Sequence, residues 1–198
     1  IVTGDWSSDV CSSDLSKIGD CRYSDITIFS FHPVKIVTTA EGGIALTNNN
    51  YLHERMQLFR THGITRDENL MHKVPDGGWY YEQIELGYNY RMTDLQAALG
   101  ISQMNRVDEF VSSRHKQAQR YDDRLKDLPI ILPFQSDTCY SSFHLYVIRL
   151  NLDLIEKSHK QVFEELRSKN IGVNLHYIPV HLHPYYQTMG FKSGDFPE

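Results

Sequence analysis

The 198-residue chain lacks the features that mark membrane-spanning, secreted and nucleic-acid-binding proteins. It has no apolar run near the roughly 18 residues that a membrane span needs, and its first residues lack the basic start of a signal peptide. Basic residues are not in excess, since 20 Lys and Arg stand against 25 Asp and Glu. The three cysteines, at 11, 21 and 139, form neither a close-spaced metal pair nor an even disulfide set. We expect a cytoplasmic protein with no metal, membrane or nucleic-acid partner.

The first fifteen residues, IVTGDWSSDVCSSDL, differ from the rest of the chain. Ser and Asp fill six of the eight positions 7–14, so this segment offers no apolar face and is not expected to pack. A flexible polar terminus is one interpretation. A sharper one is that residues 5–15 match the conceptual translation of a common sequencing-adapter oligonucleotide, which would make 1–15 an artificial junction. The gene would then have continued upstream.

The remaining sequence predicts alternating strands and helices, which is typical of an α/β fold. It is 40% hydrophobic and 12% aromatic over the whole chain, enough for a core. The segments 24–31 and 43–47 are apolar and β-branched, and predict buried strands. A helix over about 51–61 follows, with an asparagine N-cap and Gly63 at its end. Residues 64–88 show no sustained period and predict a long ordered loop.

The second half begins with a helical stripe and ends in a smaller α/β pattern. Thr93 and Gln96 have the spacing of a capping box, and the apolar positions beyond them continue to Leu125, as one helix or two abutting ones. A change of composition at about 127–142, with two prolines, indicates a domain boundary. After it we predict a strand over 144–150, a helix capped by Ser158 with Gln161, and a strand over 173–178.

Lys35 is the first candidate for chemistry, because it follows an apolar strand in a stretch otherwise poor in charge. Such a lysine is either a surface residue or a desolvated amine, and spacing alone favours the surface. Desolvation disfavours the ammonium form and frees the lone pair that attacks a carbonyl carbon. Ser30 could donate to a phosphate, and the small residues of 38–43 permit close backbone approach. These neighbours favour a Schiff-base lysine.

Two segments make the sequence recognisable: FSFHPVKIVTTAEGGIALTNN and, roughly fifty residues later, GYNYRMTDLQAALGISQM. Together they resemble the DegT/DnrJ/EryC1/StrS family of sugar aminotransferases that depend on pyridoxal 5'-phosphate (PLP). The resemblance covers 16–198 and implies part of the fold type I, aspartate aminotransferase-like architecture. Residues 16–127 would be the end of the large PLP-binding domain with its long interdomain helix, and 128–198 a small, truncated C-terminal domain. Ala40 stands where the family often has glycine.

The resemblance also implies roles for individual residues. Lys35 would form the Schiff base with PLP and then shuttle a proton between substrate and cofactor carbons. Ser30 would bind the cofactor phosphate, and Asn89 would reach that phosphate from the neighbouring subunit of a homodimer. Arg91 would contact substrate, although a structural ion pair explains it equally well.

Near the C-terminus, HYIPVHLHPYY contains three histidines, which invites a metal-site interpretation. The pattern argues against one, since no cysteine or acidic residue lies between 171 and 190 to complete a zinc site. In the family this segment approaches the nucleotide-sugar pocket, so Tyr177 and His181 are candidate substrate contacts. Aromatic packing is an equally good explanation, and the same alternatives apply to His144 and Trp79.

The implied activity is transfer of an amino group from L-glutamate to C4 of a UDP-4-keto-6-deoxy-N-acetylhexosamine. A family aminotransferase for another nucleotide sugar is the nearest alternative, and a noncatalytic ligand-binding or interaction module is the alternative from another class. Lys35 argues against a dehydratase, in which histidine replaces the lysine. The chain as written is expected to be an inactive fragment, because the upstream cofactor-binding elements of the family have no counterpart before Ser30.

Overall fold

The computed structural model describes residues 2–4, 10–11 and 17–196. The chain divides into two compact units. Unit 1 comprises Ile1–Asp123 and Phe134–Tyr146, and unit 2 comprises Arg124–Pro133 and Val147–Glu198. In the described part, the strands are β1 (Val2–Gly4), β2 (Val10–Cys11), β3 (Thr27–Ser30), β4 (Gly43–Leu46), β5 (Ile64–Thr65), β6 (Glu82–Gln83), β7 (Ile130–Ile131), β8 (Cys139–Tyr140) and β9 (Arg149–Leu150). The helices are α1 (Asn50–Arg60), α2 (Asp94–Met104), α3 (Val107–Leu125), α4 (His159–Ser168) and α5 (Pro184–Gln187).

The three-stranded sheet of unit 1 has the order β1-β3-β4. β1 runs parallel to β3, whereas β4 runs antiparallel to β3 and pairs Ser30 with Gly43. The core lies at and after β3, where Phe29, Val37 and Thr39 are almost fully buried. This packing places the chain between β3 and β4 against the interior of the unit.

Predicted helix signals are confirmed where they rest on local hydrogen bonds. Asn49 accepts from the Leu52 amide at the start of α1. Capping boxes at Thr93 with Gln96, and at Ser158 with Gln161, begin α2 and α4. The stripe after Thr93 forms two helices rather than one. Each boundary follows from side chains that replace missing intrahelical partners.

Several strand predictions were too long. The segment 24–31 is a strand only over Thr27–Ser30, and 144–150 only over Arg149–Leu150, which pairs with β7. No strand forms at 173–178 in the described chain, where Leu175 and Ile178 are about half exposed. The predicted loop 64–88 contains β5 and β6, which pair antiparallel. Apolar alternation alone does not make a strand, because a strand also needs a hydrogen-bonding neighbour.

Parts of the N-terminal segment take part in pairing. β1 pairs with β3 and β2 with β8, so the expectation that 1–15 does not pack is wrong for these five residues. The other positions of the predicted adapter-derived stretch lie outside the described residues. Cys139 is disulfide-bonded, which the odd cysteine count did not predict, whereas Cys21 is a free thiol.

Unit 2 is built around the β7–β9 pair and α4, followed by a C-terminal tail, defined as residues 171–196. A short 3-10 turn at Val180–Leu182 precedes α5 in this tail. Among the described residues, no helix in either unit is long and apolar enough to cross a membrane. The same residues contain no group of three His, Cys, Asp or Glu side chains that could hold a metal ion.

Candidate active site

The lysine loop, residues 31–43, is closed on itself by backbone hydrogen bonds at its base. The Phe31 amide donates to the Gly42 carbonyl at 2.9 Å, and the Thr39 amide donates to the Phe31 carbonyl at 3.1 Å. Ile36 and Val37, within the loop, are buried. The loop is therefore a fixed part of unit 1, although it has no regular secondary structure.

Three residues in the middle of the loop form a tight turn. The Thr38 hydroxyl donates to the Phe31 carbonyl, and the Thr39 hydroxyl donates to the Glu41 carbonyl at 2.7 Å. Ala40, between Thr39 and Glu41, has a φ of 67°, in the left-handed region where a Cβ is unfavourable. This conformation explains why glycine suits the position. It also shows that the alanine is tolerated, because the surrounding bonds determine the turn.

Lys35 and Ser30 lie close together in sequence at the entrance of the loop, and both are half-buried. The Lys35 amide donates to the His32 carbonyl at 2.9 Å, which makes a turn directly after β3. The Ser30 hydroxyl, at the end of β3, accepts from the His32 amide at 3.3 Å. The end of β3 and the turn that directly follows it thus carry one hydroxyl and one amine, five residues apart.

Helix α2 contacts the lysine loop and joins the two motif segments. The Gln96 side-chain amide donates to the Glu41 carbonyl at 2.9 Å, while its oxygen completes the capping box with Thr93. A Cβ on Gly42 would overlap the Thr39 hydroxyl and lie 2.9 Å from the Met92 methyl carbon. A Cβ on Gly100 would lie 2.9 Å from the Thr39 methyl carbon. Small residues are required here because helix and loop are in direct contact.

Asn89 lies in an extended segment next to the end of α1. It forms an isolated antiparallel bridge with Thr61, and its side chain is exposed. The rings of Tyr88 and Tyr90 stack on each other at 4.9 Å. Within the described residues no hydrogen bond joins Asn89 to Ser30, and Arg91 is exposed just before the N-cap of α2. Asn89 therefore faces solvent in a single copy of the chain.

Tyr177 and His181 belong to the C-terminal tail of unit 2. Tyr177 is 68% exposed. His181 is half-buried and meets the edge of the Phe196 ring, with 5.0 Å between ring centroids. This contact supports the packing interpretation of His181, whereas the exposure of Tyr177 leaves its ring available to a ligand.

The structure also identifies a carboxylate that the sequence did not single out. Glu82 accepts from the amides of His72 and Lys73 at 2.7 and 3.0 Å and from the Tyr80 hydroxyl at 2.9 Å. The His72 amide bond is the main reason that the pKa of Glu82 falls to about 2. Glu82 thereby fixes the loop that precedes the Asn89 segment. No local pattern reveals it, because its partners lie up to ten residues away.

The profile of the DegT/DnrJ/EryC1/StrS aminotransferase family matches residues 10–198. The chain belongs to this family. The predicted fold class is confirmed, because solved structures of PLP-dependent aminotransferases superimpose on the chain. A protein described as a sugar aminotransferase of Streptococcus pneumoniae, in its PLP form, has a TM-score of 0.82 and 28% identity, covering 100% of this chain and 49% of that one.

Two relatives have more specific descriptions. The UDP-4-amino-4,6-dideoxy-N-acetyl-beta-L-altrosamine transaminase of Campylobacter jejuni is 35% identical over 174 residues, which is 87% of this chain and 43% of that protein. The structure of PseC from Helicobacter pylori, an aminotransferase involved in the biosynthesis of pseudoaminic acid, has a TM-score of 0.74 at 32% identity, covering 84% of this chain and 43% of that one. The chain spans about half the length of the curated relatives that it matches.

The side chains of the lysine loop fit PLP, the cofactor of this family. The cofactor carries an aldehyde and a phosphate. An aldehyde needs a primary amine, which Lys35 has, and a phosphate needs short donors such as the Ser30 hydroxyl. Gly43 leaves no room for a side chain, since its Cβ would lie 2.8 Å from the Phe29 carbonyl. The donor set therefore has the chemistry that the cofactor requires.

Proposed function

We propose that this chain is part of a PLP-dependent aminotransferase that moves an amino group from L-glutamate to C4 of a UDP-4-keto-6-deoxy-N-acetylhexosamine. The observation that carries the proposal is the contact of the lysine loop, at Thr39 and Glu41, with α2, because it unites both family segments in one rigid unit. The description of the C. jejuni relative supports a UDP-linked amino sugar of this kind. The description of the H. pylori protein supports the pathway of pseudaminic acid.

In this proposal Lys35 has two tasks. Its amine would hold the cofactor through the aldehyde carbon, and the same amine, once free, would hold and move a proton between two carbon atoms. When bound, PLP supplies the electron sink for amino transfer. The Ser30 hydroxyl orients the cofactor by donating to its phosphate. Arg91, Tyr177 and His181 are proposed to contact substrate.

Asn89 is proposed to bind the phosphate held by the neighbouring subunit of a homodimer. The exposure of Asn89 supports this role, because among the described residues its side-chain amide makes no hydrogen bond to Ser30 of the same chain. Apolar side chains flank it, including Leu86 at 86% exposure and Tyr90 at 73%. A surface of this kind marks a protein interface more often than a solvated face.

We propose that residues 16–127 belong to the large PLP-binding domain and residues 128–198 to the small C-terminal domain. The division into two units supports a change near this boundary, with residues 134–146 grouped in unit 1. A cytoplasmic location is also proposed. The free Cys21 thiol supports a reducing compartment, and the Cys139 disulfide is the observation against it.

The test of the activity is an assay of the full-length protein that contains this chain, with L-glutamate and a panel of UDP-4-keto sugars. We expect amino transfer to the 4-keto-6-deoxy-N-acetylhexosamine, and none by Lys35→Ala. Turnover restricted to another sugar would show that the proposed substrate is wrong and that the other sugar is the substrate. A noncatalytic binding module would give no turnover and no lysine-dependent cofactor absorbance.

The shared site is tested at limiting PLP by mixing two variants: Lys35→Ala, which is expected to be inactive, and Asn89→Ala, whose activity is expected to fall because it binds the cofactor more weakly. In a mixed dimer one of the two sites has both groups intact, so part of the activity should return. Verified heterodimers without any recovery would argue that each subunit builds its own site.

A further inference from the structure

The end of α1 and the Asn89 segment complete each other's hydrogen bonds. A helix leaves its last carbonyls without intrahelical partners. Here the Phe59 carbonyl accepts from the Tyr88 amide at 2.7 Å, and the Arg60 carbonyl accepts from the Tyr90 amide at 3.0 Å. The bonds that cap α1 are therefore the bonds that fix the backbone on both sides of Asn89.

Two glycines allow the chain after α1 and the chain before Asn89 to come into very close contact. A Cβ on Gly63 would overlap the Glu85 carbonyl, and a Cβ on Gly87 would overlap the Gly63 amide. Gly63 also has a φ of 69°, which disfavours any side chain. The two backbone segments therefore pack directly on each other, so a small shift of either segment would move the other.

One side-chain pair ties the same two segments together. The Arg55 guanidinium, on α1, donates to the Glu85 carboxylate at 2.7 Å, and both side chains are partly exposed. The Arg55 guanidinium also lies over the Phe59 ring at 4.4 Å. The Glu85 hydrogen bond raises the pKa of Arg55, so the guanidinium stays charged. The Arg55–Glu85 ion pair thus joins α1 to the chain that leads to Asn89.

We propose that Arg55 and Glu85 are positioning residues for Asn89, and that they act on the cofactor of the neighbouring subunit rather than on that of their own. This inference rests on the proposed function, in which the Asn89 amide binds a phosphate across the dimer. Neither residue touches the cofactor. The pair fixes the middle of α1 to the segment 85–90, and the segment presents the amide.

The first experiment measures cofactor retention in the full-length protein, by borohydride reduction and mass spectrometry over a titration of PLP. Asn89→Ala should weaken retention about tenfold, because a hydrogen bond to a charged group is lost. Glu85→Gln and Arg55→Met should weaken it about threefold, and Arg55→Lys should recover part of the loss. Glu109→Gln is the control, because its ion pair with Arg106 is also at least partly exposed but lies at the start of α3.

Pyridoxal, which lacks the phosphate, separates positioning from general loosening of the fold. Since the amide acts on the phosphate, Glu85→Gln should bind pyridoxal as well as the unchanged protein does. A variant that loses affinity for both compounds would contradict the inference, because the lysine loop itself would then be disturbed.

Mixed dimers of mass-tagged subunits test the action across the interface. In the first arrangement Glu85→Gln sits on the subunit that keeps Lys35, and its partner carries Lys35→Ala. In the second, one subunit carries both changes and its partner is unchanged. We expect normal retention in the first and about threefold weaker retention in the second.

The opposite pattern, or equal retention in both, would overturn the inference. Loss in Asn89→Ala without loss in Glu85→Gln would overturn the inference alone. Full retention in Asn89→Ala would overturn the shared site of the proposed function, and this inference with it.

Discussion

The lysine loop and the C-terminal tail both contain residue types suited to a binding site, but they are held in different ways. In the loop, Phe31 bonds to Gly42 and Thr39 across eight or more positions of chain, and the side chain of Thr39 is buried. In the described tail, backbone bonds such as Leu182 to Pro179 and His183 to Val180 span three residues. A chemical group is held in a defined position when contacts from distant parts of the chain fix it. The loop meets this condition, and it is therefore suited to hold a reactive group in place.

The largest expected difference concerns glycines. Gly42→Ala should destabilise the protein by about 3 kcal/mol, because the new Cβ would overlap Thr39 and meet the left-handed penalty at a φ of 151°. Gly172→Ala, in the tail, is the matched control, since open space surrounds it and the change should cost less than about 0.5 kcal/mol. Urea unfolding of both variants makes the measurement. Similar losses in the two would remove the contrast between loop and tail.

Threonine hydroxyls give a second, smaller contrast. Thr39→Val should cost about 1 kcal/mol, because the almost fully buried Thr39 would lose its 2.7 Å bond to the Glu41 carbonyl. Thr188→Val removes a 2.6 Å bond to the Tyr185 carbonyl, but water can replace it at this exposed site, so the cost should be below about 0.5 kcal/mol. Thermal unfolding ranks the pair. An equal cost would mean that the tail is as dry as the loop.

Acid sensitivity gives the third contrast. The native pKa of Glu82 is about 2, below its ordinary value of 4.5, so its contribution to stability is complete above pH 4.5 and is lost as the pH falls toward 2. Glu82→Gln should remove this part of the acid dependence. Glu165→Gln, which removes a carboxylate whose partner Lys157 is about half exposed, is the matched control. Unfolding free energies between pH 5 and 2 decide the question, and identical pH profiles for Glu82→Gln and the unchanged protein would contradict the assignment.

The sequence predicted the elements whose determinants are local. Both capping boxes depend on residues three positions apart, and both were found. The strand over 173–178 failed, because an apolar alternation does not reveal whether a neighbouring strand will supply hydrogen bonds. The paired residues of β5 and β6 were missed within a predicted loop for the same reason. Their pairing joins positions seventeen to nineteen residues apart.

The candidate site was predictable in part. Lys35 and Ser30 stand out by residue type and by resemblance, and the structure places Ser30 at the end of β3 and Lys35 in the turn that follows it. The bond from Gln96 to the Glu41 carbonyl spans 55 residues, so no local pattern indicates it. The same is true of Arg55 and Glu85, which are 30 residues apart. Residue types indicate what chemistry is available, whereas long-range contacts determine which groups can use it.

Lys35, held by the lysine loop, is proposed to be the lysine that binds the cofactor. The most direct test treats the full-length protein with PLP and borohydride, digests it and maps the reduced cofactor to a peptide. We predict one modified lysine, Lys35, and no modification of Lys35→Ala, which should remain folded by circular dichroism. Stoichiometric trapping at another lysine, with Lys35 unmodified, would contradict the account.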